Sequence, residues 1–228
     1  MRCVAAIRSF LWAFRRRMFR DAGHAILHLI VIVPTCAFAQ SPAQSLADDI
    51  SAALRSPSRL TRSFGSAAPD PRAAADKQFV DALRSRSIAV EPVAPPTAAE
   101  REQVYAIASA RPAIDLEILF ESGSAGIGAK AAPMLAALGQ ALSRPEFRGE
   151  VFFINGYTDA KGSAGVNQKL SQRRAEAVRR ALIDQFRLPP DTLIAVGFGK
   201  ERLKNPAHPL AAENRRVQIV NTTVTAAR

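Results

Sequence analysis

With 228 residues, 48% of them hydrophobic, the chain has enough apolar material for one ordinary core and residues left over for a tail or linker. Its formal charge of +11 is unevenly spread: six arginines against one aspartate put +5 in residues 1–39 and leave +6 for 40–228, an excess that favours anionic partners without choosing among nucleic acid, phospholipid headgroups and a carboxylate-bearing cell wall. Cys3 and Cys36 lie before residue 40 and the histidines are His24, His28 and His208, so the rest of the chain has no disulfide or cysteine zinc site and almost no material for a histidine metal site or a Ser/His/Asp triad.

Residues Ala25 to Val33 read AILHLIVIV after a basic stretch and are followed by Pro34 and Ala37-Phe38-Ala39. This is the basic, apolar, small-x-small succession of a secretory signal, with cleavage expected after Ala39 and the periplasm as destination. The apolar run is far short of the roughly 20 residues of a membrane-spanning helix, so no transmembrane span is expected in the mature chain. A start at Met18 would give the leader ordinary proportions. Cys36 follows Val33-Pro34-Thr35, where a lipidation signal would place a small residue, which argues against a lipoprotein.

From Gln40 to Arg111 the chain is rich in Ala, Ser, Pro and Arg, with Pro42, Pro57, Pro69, Pro71, Pro92, Pro95 and Pro96 punctuating it. It reads as a linker with short helices: one around Leu46, Ile50 and Leu54, one around Phe79, Val80 and Leu83, and one from the capping-box pattern Thr97-Ala-Ala-Glu100 into Val104 and Ile107. None is long enough to stabilise itself. A spacer is the expected role, and an arm that binds an envelope protein is the alternative.

Beyond Pro112 the pattern tightens. Ile114 to Phe120 alternates apolar and acidic residues before turning continuous, as in a strand; Gly123, Gly126 and Gly128 make a loop; and Met134, Leu135, Leu138 and Leu142 predict a helix over 130–142 that Arg144-Pro145 ends. Val151 to Ile154 predicts a strand halted by Asn155-Gly156. A helix over 164–186 would carry Val166, Leu170, Val178, Leu182, Ile183 and Phe186 inward with Arg173, Arg179 and Arg180 largely outside, until Pro189-Pro190 forbids its continuation. Strands at 192–196 and 216–221 complete a βαβαββ order, which implies an α+β two-layer sandwich of helices on a small mixed sheet.

Four ordered blocks stand out: Gly156-Tyr-Thr-Asp159-Ala-Lys-Gly162, Asn167-Gln-Lys-Leu170-Ser171-Gln-Arg-Arg174-Ala175, Gly197-Phe-Gly199 and Asn214-Arg-Arg-Val217. In sequence and spacing they resemble the family shared by the C-terminal domain of outer-membrane protein A, the peptidoglycan-associated lipoprotein and the flagellar stator protein B. The resemblance covers about half the chain, residues 112–228. It implies non-covalent binding of peptidoglycan through meso-diaminopimelate of the stem peptide, with Asp159 and Arg174 as the ligand residues. Charge chemistry agrees: a zwitterionic ligand end is met by one carboxylate, which accepts from its ammonium, and one guanidinium, which grips its carboxylate with two parallel hydrogen bonds. Without ligand the two could pair with each other, and taken alone they could be an ordinary loop-to-helix salt bridge.

Around this pair the expected ligand-binding set is Thr158, Asn167, Leu170, Phe120, Glu121 and Ser122. Asn167 would either organise the loop or touch ligand, Leu170 would be core with an edge in the pocket, Phe120 would be core, and Glu121 or the Ser122 backbone would line the pocket. Two departures from the family pattern, Tyr157 for histidine and Glu121 for aspartate, predict an altered pocket shape. Asn214 would fix a turn, with Arg215 and Arg216 covering the sheet edge; the alternative is that one of the two arginines contacts the wall directly. No catalytic residue, metal ligand or cofactor is expected, and no nucleic acid partner. The rival readings are an inner-membrane-anchored stator-like or envelope-complex subunit, although no acidic residue falls within Ala25 to Ala39, and a peptidoglycan-processing enzyme. Contact with the outer membrane would come through a partner.

Overall fold

Two short runs, Phe152–Tyr157 (β2) and Leu193–Gly199 (β3), are buried at every residue. A strand apolar on both sides needs cover on both faces, and this requirement organises the molecule. The computed structural model describes residues 42–55, 71–87, 94–118, 120 and 123–223. The leader expected over 1–39 lies outside the described residues.

Ala113–Leu116 (β1) and Val217–Asn221 (β4) complete a four-stranded mixed sheet of order β1-β4-β2-β3. β2 and β3 are parallel, pairing Phe152 with Leu193 and Gly156 with Gly197, while β4 runs antiparallel to both neighbours, Ile219 lying between Ile114 and Ile154. The expected βαβαββ order is present, with Ala132–Leu142 (α4) and Ala164–Phe186 (α5) as its helices. β1 ends four residues before Phe120: the Ile118 N–H turns back to Leu116 O at 3.1 Å, and Phe120 then bridges Ile127 across the following loop.

The described parts of 40–111, expected to act as a spacer, are three helices packed on this sheet: Pro42–Leu54 (α1), Pro71–Ser87 (α2) and Ala98–Ala108 (α3). The pleat explains where they go. Phe152, Ile154, Leu193, Ala195, Val217 and Ile219 face α4, α5 and α1, and the alternate residues Val151, Phe153, Tyr157, Ile194, Val196, Phe198 and Val220 face α2 and α3. To the expected sandwich the N-terminal helices therefore add a third layer. α1 contributes Ala47, Ile50 and Leu54 beside α4 and is fastened by ion pairs from Arg144 to Asp48 and from Arg55 to Glu146. α2 is tied by Arg84 to Asp191. α3 starts in the expected capping box, Thr97 accepting from the Glu100 N–H at 3.3 Å while Glu100 accepts from the Thr97 N–H at 2.7 Å.

α5 spans the predicted 164–186, but its inner stripe differs from the predicted one. Asn167, Ser171, Arg174, Ala175, Val178 and Leu182 point inward, Val166 is exposed, and Arg179 is buried. The reason is polar. β3 is an edge strand, and α5 lies so close to it that side chains take the place of a fifth strand. Gln172 donates to Ala195 O (3.1 Å) and accepts from the Gly197 N–H (2.7 Å), Gln168 donates to Gly197 O (2.7 Å), Ser171 Oγ accepts from the Gly199 N–H (2.8 Å), and Arg179 Nε donates to Leu193 O (2.9 Å). Glycine makes the approach possible: a Cβ at Gly156 would lie 2.3 Å from Ser171 O, and one at Gly197 2.4 Å from the Gln172 nitrogen. Among the described residues no helix is long and apolar enough to cross a membrane.

Candidate functional site

The parallel pair β2/β3 opens at its C-terminal end into the loop 158–163, whose shape is fixed by bonds from every side. The Thr158 N–H donates to Gly199 O (2.9 Å), the Ala160 N–H to Pro209 O (3.0 Å) and Lys200 Nζ to Gly162 O (2.8 Å). Asn167, buried in the first turn of α5, donates from Nδ2 to Lys161 O at 2.8 Å. Gly162 takes a positive φ of 90°, which lets the chain turn into Ser163, the N-cap of α5. Asp159 is thereby held at the rim, its Oδ1 accepting from the Lys161 N–H at 3.1 Å.

A cleft of about 650 Å³ opens above this loop, lined by Phe120, Gly123, Thr158, Asp159, Lys161, Val166, Asn167, Leu170, Arg174, Leu210 and Arg215. Six of the eight residues expected from the sequence thus meet in one place, while Glu121 and Ser122 lie outside the described residues. Arg174 is buried, with Nε donating to Ser124 O at 3.0 Å and its guanidinium 4.9 Å from the centre of the Phe120 ring. Burial, and then the nearby Arg215, lower the pKa of Arg174 from its ordinary value, and the Asp159 carboxylate opposes them. A guanidinium so confined keeps its charge and is fixed in direction.

Asp159 is ion-paired with Arg215, Nη1 to Oδ2 at 2.9 Å. Arg215 and Arg216 do not share the sheet edge as expected: the structure separates them, and only Arg215 has the cleft position that the alternative of one ligand-facing arginine requires. Strand alternation sends Arg215 into the cleft and Arg216 to the opposite face, 3.9 Å over the Tyr157 ring and 3.4 Å from Asp115. Two identical neighbours leading into a strand were the available signal. Tyr157 follows the same rule: it is buried on the far face, stacked on Phe198 at 5.2 Å with its hydroxyl donating to Gln218 Oε1 at 3.2 Å, so it is not among the residues lining the cleft. Burial raises its phenol pKa well above the ordinary value. The turn expected of Asn214 is present, since this fully buried side chain accepts from the Asn205 N–H (2.9 Å) and donates to His208 O (3.0 Å) and Pro209 O (3.2 Å). That loop carries Leu210, which with Val166 leaves a large apolar side chain exposed beside the charged groups.

Residues 119–216 match the model of the OmpA family. The chain is similar to outer membrane porin F of Pseudomonas aeruginosa, 40% identical over 67 residues that make up 28% of this chain and 19% of that protein. It is also similar to the peptidoglycan-associated lipoprotein of the same organism, 38% identical over 73 residues, or 31% of this chain and 43% of the relative. The chain thus spans less than half the length of these curated relatives. Among solved structures, the peptidoglycan-associated lipoprotein of Burkholderia pseudomallei matches with a TM-score of 0.39 and 30% identity over 46% of this chain and 87% of that one. The segment 119–216, which holds every residue named above as lining the cleft, belongs to the OmpA family.

Proposed function

We propose that this protein binds peptidoglycan non-covalently in the periplasm, through the diaminopimelate of the stem peptide, and so tethers or organises the cell envelope. The observation that carries this reading is the convergence of Asp159, Arg174 and Asn167 on one cleft within the OmpA-family segment. Its relatives include a protein named for association with peptidoglycan. Asp159 would accept from the ligand's ammonium while Arg174, fixed in direction by Ser124 and Phe120, grips its carboxylate. Each such charge-assisted bond contributes about 1.5–3 kcal/mol where partly shielded. Weak binding of a single stem, strengthened by the many sites of the polymer, follows from that magnitude. The reading is of binding: the cleft offers charge partners for a ligand.

Sedimentation of the full chain with insoluble sacculi tests this, comparing wild type with Asp159→Ala and Arg174→Ala and adding free diaminopimelate as competitor. The wild type is expected in the pellet, and each substitution or the competitor should return it to the supernatant. Folded wild-type protein that stays in the supernatant would mean that this scaffold serves another ligand.

A further inference from the structure

Among its described lining residues the cleft holds more positive charge than a zwitterionic ligand end can use. Asp159 is the single carboxylate among its described lining residues, against the cations Lys161, Arg174 and Arg215. An ammonium and a carboxylate are matched by Asp159 and Arg174. The incoming ammonium competes with Arg215 for the Asp159 carboxylate, and once displaced Arg215 has no counter-charge from that ligand end. Arg215 is placed to find one elsewhere. Its side chain is 45% exposed, whereas its backbone is fixed: its N–H donates to Ala212 O at 2.9 Å, and the preceding Asn214 is fully buried. It is a half-exposed guanidinium on a hydrogen-bonded backbone, in the same cleft as Arg174, which is buried against Ser124 and Phe120.

We infer that Arg215 is a specificity residue that reads a second carboxylate on the same stem peptide, so that the cleft prefers stems carrying the free acid over stems in which it is amidated. The inference rests on the binding role proposed above. A stem offers two such groups besides the diaminopimelate end, the α-carboxylate of its γ-linked glutamate and its C-terminal carboxylate, and either can exist as an amide. Amidation keeps the size of the group but removes its charge and replaces one acceptor oxygen by a donor, which a guanidinium rejects.

The test is calorimetric titration of the full chain with a soluble stem tripeptide of alanine, γ-linked glutamate and diaminopimelate, in three forms: free acid, glutamate α-amide and C-terminal amide. The wild type is expected to bind the free acid about tenfold more tightly than one of the two amides, and the amide that loses affinity identifies the carboxylate that is read. In Arg215→Ala the free acid should weaken by about tenfold to the level of that amide, whose own affinity holds or rises because Asp159 is freed. Equal binding of all three forms by the wild type would overturn the inference, as would an Arg215→Ala variant in which acid and amides weaken alike or all tighten. No binding of any form by the folded wild type would remove the binding role itself, and unchanged affinity in Arg174→Ala would remove the site assigned above; either takes this selectivity with it.

Discussion

Asn214 has no exposed surface, and its amide and carbonyl both serve the loop that presents Leu210 and Arg215. Replacing it with alanine leaves buried backbone groups unpaired, so Asn214→Ala should cost about 2–3 kcal/mol, read as a lower urea midpoint. Asn214→Asp keeps the acceptor for the Asn205 N–H but sets a buried carboxylate against the His208 and Pro209 carbonyl oxygens, so near neutral pH it should cost at least as much as alanine. Gly197 makes the opposite argument, from space. A methyl there would have to push α5 off the sheet, because the Gln172 nitrogen sits 2.4 Å from the position a Cβ would take. Gly197→Ala is expected to destabilise by about 3 kcal/mol through overpacking, and thermal unfolding measures it.

At the scale of elements, the contact of α5 with β3 is where side chains act as a strand. Gln172 satisfies both a carbonyl and an N–H of the β3 edge, so Gln172→Ala should cost about 2 kcal/mol and leave that edge less well covered against pairing with other chains. Denaturant unfolding checks the first effect and light scattering of the concentrated variant the second. The helices α2 and α3 are needed for a different reason. They cover Val151, Phe153, Ile194, Val196, Phe198 and Val220, the apolar part of that sheet face. A fragment starting at residue 112 exposes that face to water, so it should bind a hydrophobic dye and aggregate, whereas the chain from Gln40 onward should do neither.

Across the whole molecule, two glutamates respond to pH in opposite senses. Glu100 is held below the ordinary glutamate range, first by the Thr97 backbone N–H, so its contribution to stability is present above its unfolded pKa and lost as pH falls through the lower folded value. Glu150 is pushed up by burial against the opposing bond from Asn221. The folded state therefore holds its proton more tightly than the unfolded state, and this contribution is lost as pH rises through the raised folded value. Glu150→Gln should flatten the decline in stability as pH rises above the ordinary glutamate range, followed by urea midpoints at each pH.

Periodicity and motif order made much of the domain legible in the sequence. Val178 and Leu182 marked the inner face of α5, Pro189-Pro190 its limit, and the four blocks the cleft, because these features depend on residues near one another in the chain. The fate of α1, α2 and α3 could not be read that way. Each is too short to hold its own shape, and whether it is a spacer or a layer depends on an apolar face supplied by strands far along the chain. Arg179 and Val166 exchanged their expected places because the carbonyls of β3 needed donors more than the stripe needed another apolar side chain. The sequence by itself determined the sandwich and most of the cleft. The tertiary structure alone decided the third layer and the entry of Arg215, since only folding reveals which surfaces and charges are left to be satisfied.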